Sequence, residues 1–189
     1  MDIRSADSPR TDILDCHLSL DVTVMAQEIE RKFLVRNDVD YKSLAVGSSK
    51  IAQGYFAAVN TVRIRIRDEK GFLTIKGPSR NGGLSRYEFE KEITLEEARQ
   101  LMQLCQDGVV EKTRYLVPVG NHTFEVDEFH GDNEGLVMAE VELGSEDEDY
   151  ERPPFLGVEV TGDRRFYNSH LRQNPYSKWK DTIPEEYTH

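Results

Sequence analysis

The chain carries only two cysteines, Cys16 and Cys105, in 189 residues, too few for a disulfide framework or a cysteine-based zinc site. A reduced, cytoplasmic setting is the expectation. No apolar run approaches the eighteen residues of a membrane span. Residues 1–24 lack a basic start, an apolar block and a small-residue cleavage site, so they do not read as a secretory signal. Basic residues are in deficit: 24 Lys and Arg stand against 35 Asp and Glu, a formal charge of −11. That balance argues against general nucleic-acid binding, which needs a basic surface to displace counterions from phosphates. Missing too are a Gly-x-x-x-x-Gly-Lys phosphate loop and a serine or cysteine nucleophile with a convincing base partner. The five histidines show no ligand spacing, and the single tryptophan, Trp179, lies near the C-terminus.

What is present is alternation. Residues 1–24 carry little pattern and read as a poorly ordered extension ahead of a second methionine, Met25. From Ala26 short alternating segments, bounded by Gly, Asn and Pro, predict a mainly β (α+β) protein with strands near 26–34, 50–58, 61–68, 71–77, 85–93, 113–119, 122–129 and 135–143. Eight antiparallel strands can close a barrel. Thr94-Leu95-Glu96-Glu97 is a capping box, and the apolar stripe after it predicts a helix over 94–106. A second helix is expected from about Asp163, with Phe166 and Tyr167 packing it on the barrel. Asn81-Gly82-Gly83 reads as a loop tip, and the acidic run 144–152 as a solvated loop. One domain over 25–178 and a tail over 179–189 complete the division.

Side chains two apart on a strand share a face, and nearly every predicted strand has one apolar and one ionic face. Glu28, Glu30 and Lys32 stand together. So do Arg63 and Arg65 with Arg67, Glu88 with Glu90, Lys112 with Arg114, Glu125 with Asp127, and Glu140 with Glu142, while Lys76 ends the fourth strand. The plain reading is an amphipathic sheet with charge facing water. The alternative turns the ionic faces inward, where same-sign pairs that repel along one strand meet counter-charges on another. Eight acids and six bases then meet with a net charge of −2. Two divalent cations and an ionised triphosphate would bring the loaded site near neutrality. Carboxylates suit hard divalent metals and guanidinium forks suit phosphate oxygens, so a site of both halves is a polyphosphate site.

The motifs themselves resemble a known family. Glu28-Ile29-Glu30-Arg31-Lys32 is similar to the Glu-x-Glu-x-Lys signature of the CYTH superfamily, the triphosphate tunnel metalloenzymes. Gln53-Gly54-Tyr55, Arg63-Ile64-Arg65, Thr74-Ile75-Lys76, Tyr87-Glu88-Phe89-Glu90, Lys112-Thr113-Arg114-Tyr115, Glu125-Val126-Asp127, Ala139-Glu140-Val141-Glu142 and the segment from Gly157 to Asp163 follow in the order of its short bacterial members. The likeness spans about residues 26–175. It implies an eight-stranded antiparallel closed barrel with flanking helices, whose tunnel takes a small-molecule triphosphate with Mg²⁺ or Mn²⁺, as two divalent cations. It further implies Glu28, Glu30, Glu140 and Glu142 as metal ligands, with Asp127 or Glu90 in support. Arg63, Arg65, Lys76, Lys112 and Arg114 would hold phosphate oxygens, and Lys32 would orient or help deprotonate the attacking water. The implied activity is metal-dependent hydrolysis, with inorganic tripolyphosphate the favoured substrate. A class IV-type adenylyl cyclase, a thiamine or nucleoside triphosphatase and a non-catalytic polyphosphate binder stay open, as does a homodimer; neither nucleic acid nor membrane is expected as a partner.

Overall fold

The computed structural model describes residues 26–58, 60–78 and 80–189; the extension read at 1–24 lies outside them. Nine strands run in chain order: β1 Ala26–Val35, β2 Gly47–Tyr55, β3 Thr61–Arg67, β4 Lys70–Lys76, β5 Ser85–Ile93, β6 Gln106–Val119, β7 His122–Phe129, β8 Val137–Glu142 and β9 Leu156–Glu159. Two helices, α1 (Leu95–Met102) and α2 (Asn168–Leu171), flank them. The sheet order is β5-β4-β3-β2-β6-β7-β8-β1, and β1 pairs back onto β5, so eight antiparallel strands close into the expected barrel. The ninth strand is an addition. Once Ile29 has paired with Ser85 of β5, the edge of β1 is free, and β9 takes it at Phe33 and Val35.

Two local features moved the element boundaries. Gly108, at φ 85°, sits where the β2–β6 register shifts, so β6 begins seven residues before the expected 113 behind a bulge that interrupts its alternation. The Thr94–Glu97 capping box forms, but α1 ends at Met102, because the chain turns through Leu104 and Cys105 into β6. This helix buries Ala98 against β4, where a Cβ on Gly71 would lie 2.6 Å from that of Ala98. The second helix is shorter than expected: a 3₁₀ turn, Arg164–Phe166, capped by Asp163, precedes the four residues of α2.

Apolar residues form two clusters. Ile29, Phe33, Val117, Phe124, Val126, Ala139 and Val141 point out of the barrel and are covered by Tyr41, Leu143, Phe155 and Leu156, with Tyr150 packed beside them. Leu34, Val110, Phe129 and Met138 have the inward parity and fill one end of the interior, backed by Phe166, Leu171, Tyr176 and Tyr187. Trp179 packs edge-on against Phe166 and Tyr176. The other end of the interior is ionic. Among the described residues no helix is long and apolar enough to cross a membrane.

Candidate active site in the barrel interior

The ionic half encloses a cavity of ≈ 770 Å³, within the usual size of a small-molecule site. Eight basic and seven acidic side chains line it, so the near balance of charge expected from the strand faces holds in space. Glu28, Glu30 and Lys32 reach it from β1, Arg63 and Arg65 from β3, Lys76 from β4, Glu90 from β5, Arg114 from β6, and Glu140 and Glu142 from β8. Lys112 and Asp127 do not line it. They share its parity but lie one step deeper, at 2% and 0% exposure, paired with each other.

Acids and bases alternate around the wall. Lys76 Nζ lies 2.7 Å from Glu28 and 2.6 Å from Glu88. Arg86 spans two carboxylates, donating from Nε to Glu28 at 2.7 Å and from a terminal nitrogen to Glu30 at 2.9 Å. Lys32 bridges Glu30, at 3.0 Å, and Glu140. Arg114 clamps Asp127, reaches Glu140 at 3.3 Å and pairs with Glu125. These contacts govern protonation. Burial alone would raise the carboxyls of Glu28 and Glu140, but Lys76 and Arg86 hold the first below the usual range, and Lys32 and Arg114 hold the second well below it. Burial would lower the Lys32 ammonium; Glu140 and Glu30 outweigh it and raise that group above the ordinary lysine range.

Two places in the wall are left without a full complement. Arg63 and Arg65 share the Glu90 carboxylate, at 3.2 and 2.9 Å, with Glu88 a longer 3.9 Å from Arg63, and the Nε of each arginine is buried with no hydrogen-bond partner among the described residues. Burial and the neighbouring Arg63 lower Arg65 from its ordinary value. Elsewhere on the wall, Glu142 faces Glu30 across the β1–β8 ladder and has no cation paired to it among the described residues. Burial, then Glu125, Glu28, Glu30 and Glu88, push its carboxyl above the usual range. One region thus lacks an anion and another lacks a cation. Hard oxygen donors crowded around an uncompensated carboxylate fit a divalent cation, although among the described residues no three His, Cys, Asp or Glu side chains are gathered in a ready ligand set.

Arg86 was not among the residues expected here, yet it holds the first two carboxylates together. Its signal is its position two before Glu88, on the same face of β5. Tyr167, expected to pack in the core, lines the cavity instead, while its neighbour Phe166 is the buried one. Arg164 also reaches the cavity, and Arg165 pairs with Asp163 at the surface. Tyr55 lines the wall with its hydroxyl accepting from Gln53 Nε2 at 2.9 Å, and burial raises its phenol.

Residues 26–167 match the CYTH domain. The chain belongs to the CYTH family. Within reach of this CYTH chain are an inorganic triphosphatase of Acetivibrio thermocellus, 48% identical over 160 residues that cover 83% of this chain and all of the relative, and one of Nitrosomonas europaea, 38% identical over 76% of this chain and 95% of its own length. A crystal structure of an inorganic triphosphatase matches with a TM-score of 0.55 at 32% identity, over 77% of this chain and 97% of that one. The CYTH match begins at Ala26, the first residue of β1, and takes in every strand of the barrel.

Proposed function

We propose that this protein is a divalent-cation-dependent enzyme that hydrolyses inorganic triphosphate to pyrophosphate and phosphate in the barrel cavity. The observation that carries the reading is the pair of gaps in the wall: two arginines sharing one carboxylate, and Glu142 among other carboxylates without a cation. A triphosphate and a cation together fill both. Relatives named inorganic triphosphatase align along nearly their whole length, which supports the same activity here.

In this reading Glu28, Glu30, Glu140 and Glu142 hold the cation, with Glu90 in support, while Asp127, buried beneath the cavity, steadies Arg114 instead. When bound, Mg²⁺ or Mn²⁺ supplies charge neutralisation on the phosphates and a lower pKa for the attacking water. Arg63 and Arg65 offer guanidinium forks to phosphate oxygens and give up their shared Glu90 to do so; Lys76 and Arg114 contribute further positive charge along the wall. Lys112, buried behind Arg114, keeps Asp127 and through it the Arg114 fork in place. Lys32 remains an ammonium flanked by Glu30 and Glu140, so its part is to orient and to stabilise charge rather than to take a proton. Water oxygen bonds to the terminal phosphorus as the bridging P–O bond breaks, the water's proton passes to the phosphate products or to solvent, and pyrophosphate leaves with its developing charge against the arginines. The same reading places the enzyme in the reduced cytoplasm, where Cys105 stays a thiol.

Phosphate release from inorganic triphosphate, ATP and thiamine triphosphate, measured side by side with and without Mg²⁺, tests the proposal. Release should need the metal and be fastest with the inorganic compound. Glu28→Ala and Arg65→Ala should each lose most of it; folded variants with full turnover would remove the site assignment.

A further inference from the structure

Glu28 and Glu30, two of the carboxylates read above as cation ligands, each accept a hydrogen bond from the guanidinium of Arg86. Nε donates to Oε2 of Glu28 at 2.7 Å, and a terminal nitrogen donates to Oε1 of Glu30 at 2.9 Å. The planar fork fits this pair because residues two apart on β1 present their carboxyls on one face, and β5 brings Arg86 directly opposite Glu28 in the ladder. Neither acid depends on Arg86 alone: Glu28 also has Lys76 at 2.7 Å, and Glu30 has Lys32 at 3.0 Å. Arg86 is the base with room to leave. Its side chain is 19% exposed, against 7% for Lys76 and 8% for Lys32 and Arg114. Glu88, two residues further along the same face of β5, stays beside a guanidinium that has let go of β1.

We propose that Arg86 is a built-in rival of the divalent cation: it holds Glu28 and Glu30 together while no cation is bound and gives them up when one arrives. The proposal rests on the reading of those carboxylates as cation ligands and deepens it. Without the guanidinium, two like charges on one face of β1 would repel, and Arg86 removes that repulsion in the metal-free protein. The exchange replaces one positive charge with two, on a stretch of wall where Glu142 has no cation paired to it among the described residues. Its consequence is weaker metal binding, because only molecules in which Arg86 has turned away can take the ion. Arg86 is thus a positioning residue that sets metal affinity without touching the reacting atoms.

Titration calorimetry of the full chain with Mn²⁺ alone, in the absence of any phosphate, separates this role from a merely supporting one. Breaking one charge-assisted contact corresponds to about a tenfold change in an equilibrium constant. Arg86→Gln should therefore bind Mn²⁺ about tenfold more tightly than the unaltered protein. Arg86→Lys, whose ammonium cannot span both carboxylates, should fall between the two. A residue that only shaped the site for the ion would give the opposite sign. In the unaltered protein NMR reads the exchange directly: the Arg86 Nε–H signal, protected from solvent exchange without metal, should shift and lose that protection as Mg²⁺ is added. Equal or weaker Mn²⁺ binding by Arg86→Gln overturns the proposal, as does an Nε–H signal that saturating Mg²⁺ leaves unmoved. If the unaltered protein binds Mn²⁺ and releases phosphate while Arg86→Gln gains no affinity, the exchange alone is removed. If neither protein binds Mn²⁺, the cation site falls, and the exchange with it.

Discussion

Replacing Glu142 with Gln should stabilise the protein while impairing it. Glu142 faces Glu30 directly across the β1–β8 ladder, and Glu125, Glu28 and Glu88 add to the repulsion. Like charges opposite one another on a sheet cost roughly 0.2–1 kcal/mol, and the exposure of Glu142 lets solvent screen them, so the gain on neutralising it is about 0.5–1 kcal/mol. For a chain of this length that corresponds to a rise in Tm of about 1–3 °C. The sign follows from linkage: the folded carboxyl binds its proton more tightly than the unfolded one, so the penalty exists above the raised folded value and disappears as pH falls below the ordinary carboxylate range near ~4.3. Calorimetric scans of the two proteins without divalent metal, at low salt, should differ most near pH 7 and converge near pH 4. The same substitution removes a proposed cation ligand, so half-maximal phosphate release should need about tenfold more Mg²⁺. A lower Tm for Glu142→Gln at neutral pH, or an unaltered Mg²⁺ requirement, would refute the reasoning.

Arg86→Gln should act in the opposite direction. Removing one partner of a buried ion pair costs about 3–5 kcal/mol, but Glu28 keeps Lys76 and Glu30 keeps Lys32, so about 2–3 kcal/mol should be lost in urea unfolding; Arg86→Lys should recover less than half, because one ammonium cannot span both carboxylates. A midpoint equal to that of the unaltered protein would count against the bridging role. Lys112 is pushed down to about 8 by burial and by Arg114, against the opposing pull of Asp127. Carbon-13 NMR of labelled lysines should find one titrating near pH 8, and Asp127→Asn should lower it further. Between that value and the ~10.4 of a free lysine the unfolded chain binds more protons, so Lys112 contributes stability that grows with pH there, and Lys112→Met should remove that slope.

The strands were legible because alternation and turn chemistry agreed. The ends of β1, β3, β5 and β7 fall within a residue of where periodicity put them, and Gly120-Asn121 forms the β6–β7 turn with Gly120 at φ 57°. Elements without that agreement were misplaced or missed. A bulge at Gly108 hid the start of β6, and β9, four residues long, exists because β1 has an edge to offer rather than because its own sequence alternates strongly. The gathering of the site followed from parity, since the same-sign pairs of β1, β3, β5 and β8 turned inward together, while single charges such as Arg31 and Glu128 stayed on the outer face. Depth did not follow. Lys112 shares a face with Arg114, and Asp127 with Glu125, yet they lie below the cavity, because position along the barrel axis depends on strand stagger, which no single strand records.

Turning the ionic face inward has a structural consequence that explains much of the rest of the chain. A barrel whose interior holds arginines and carboxylates must present its aliphatic face outward, and in water that face needs a cover. Tyr41 and Leu143 cover one stretch of it, and Phe155 and Leu156 lie over Phe33, Phe124 and Val141. Tyr150 packs against both Phe33 and Phe124, and Phe155 meets Phe124 edge-on. The added strand β9 and the turn before it are therefore the second layer of an inverted barrel. The inverse holds at the closed end, where Leu34, Val110, Phe129 and Met138 return to the interior and the C-terminal segment stops it with Phe166, Leu171 and Tyr176. Along β1 the inward residues pass from Glu28 and Glu30 through Lys32 to Leu34, so one strand carries the change from binding surface to core within three steps of two residues. Lys32 sits at that boundary, the last charge of β1 before Leu34, and at 7% exposure its ammonium depends on Glu30 and Glu140 rather than on solvent for its partners.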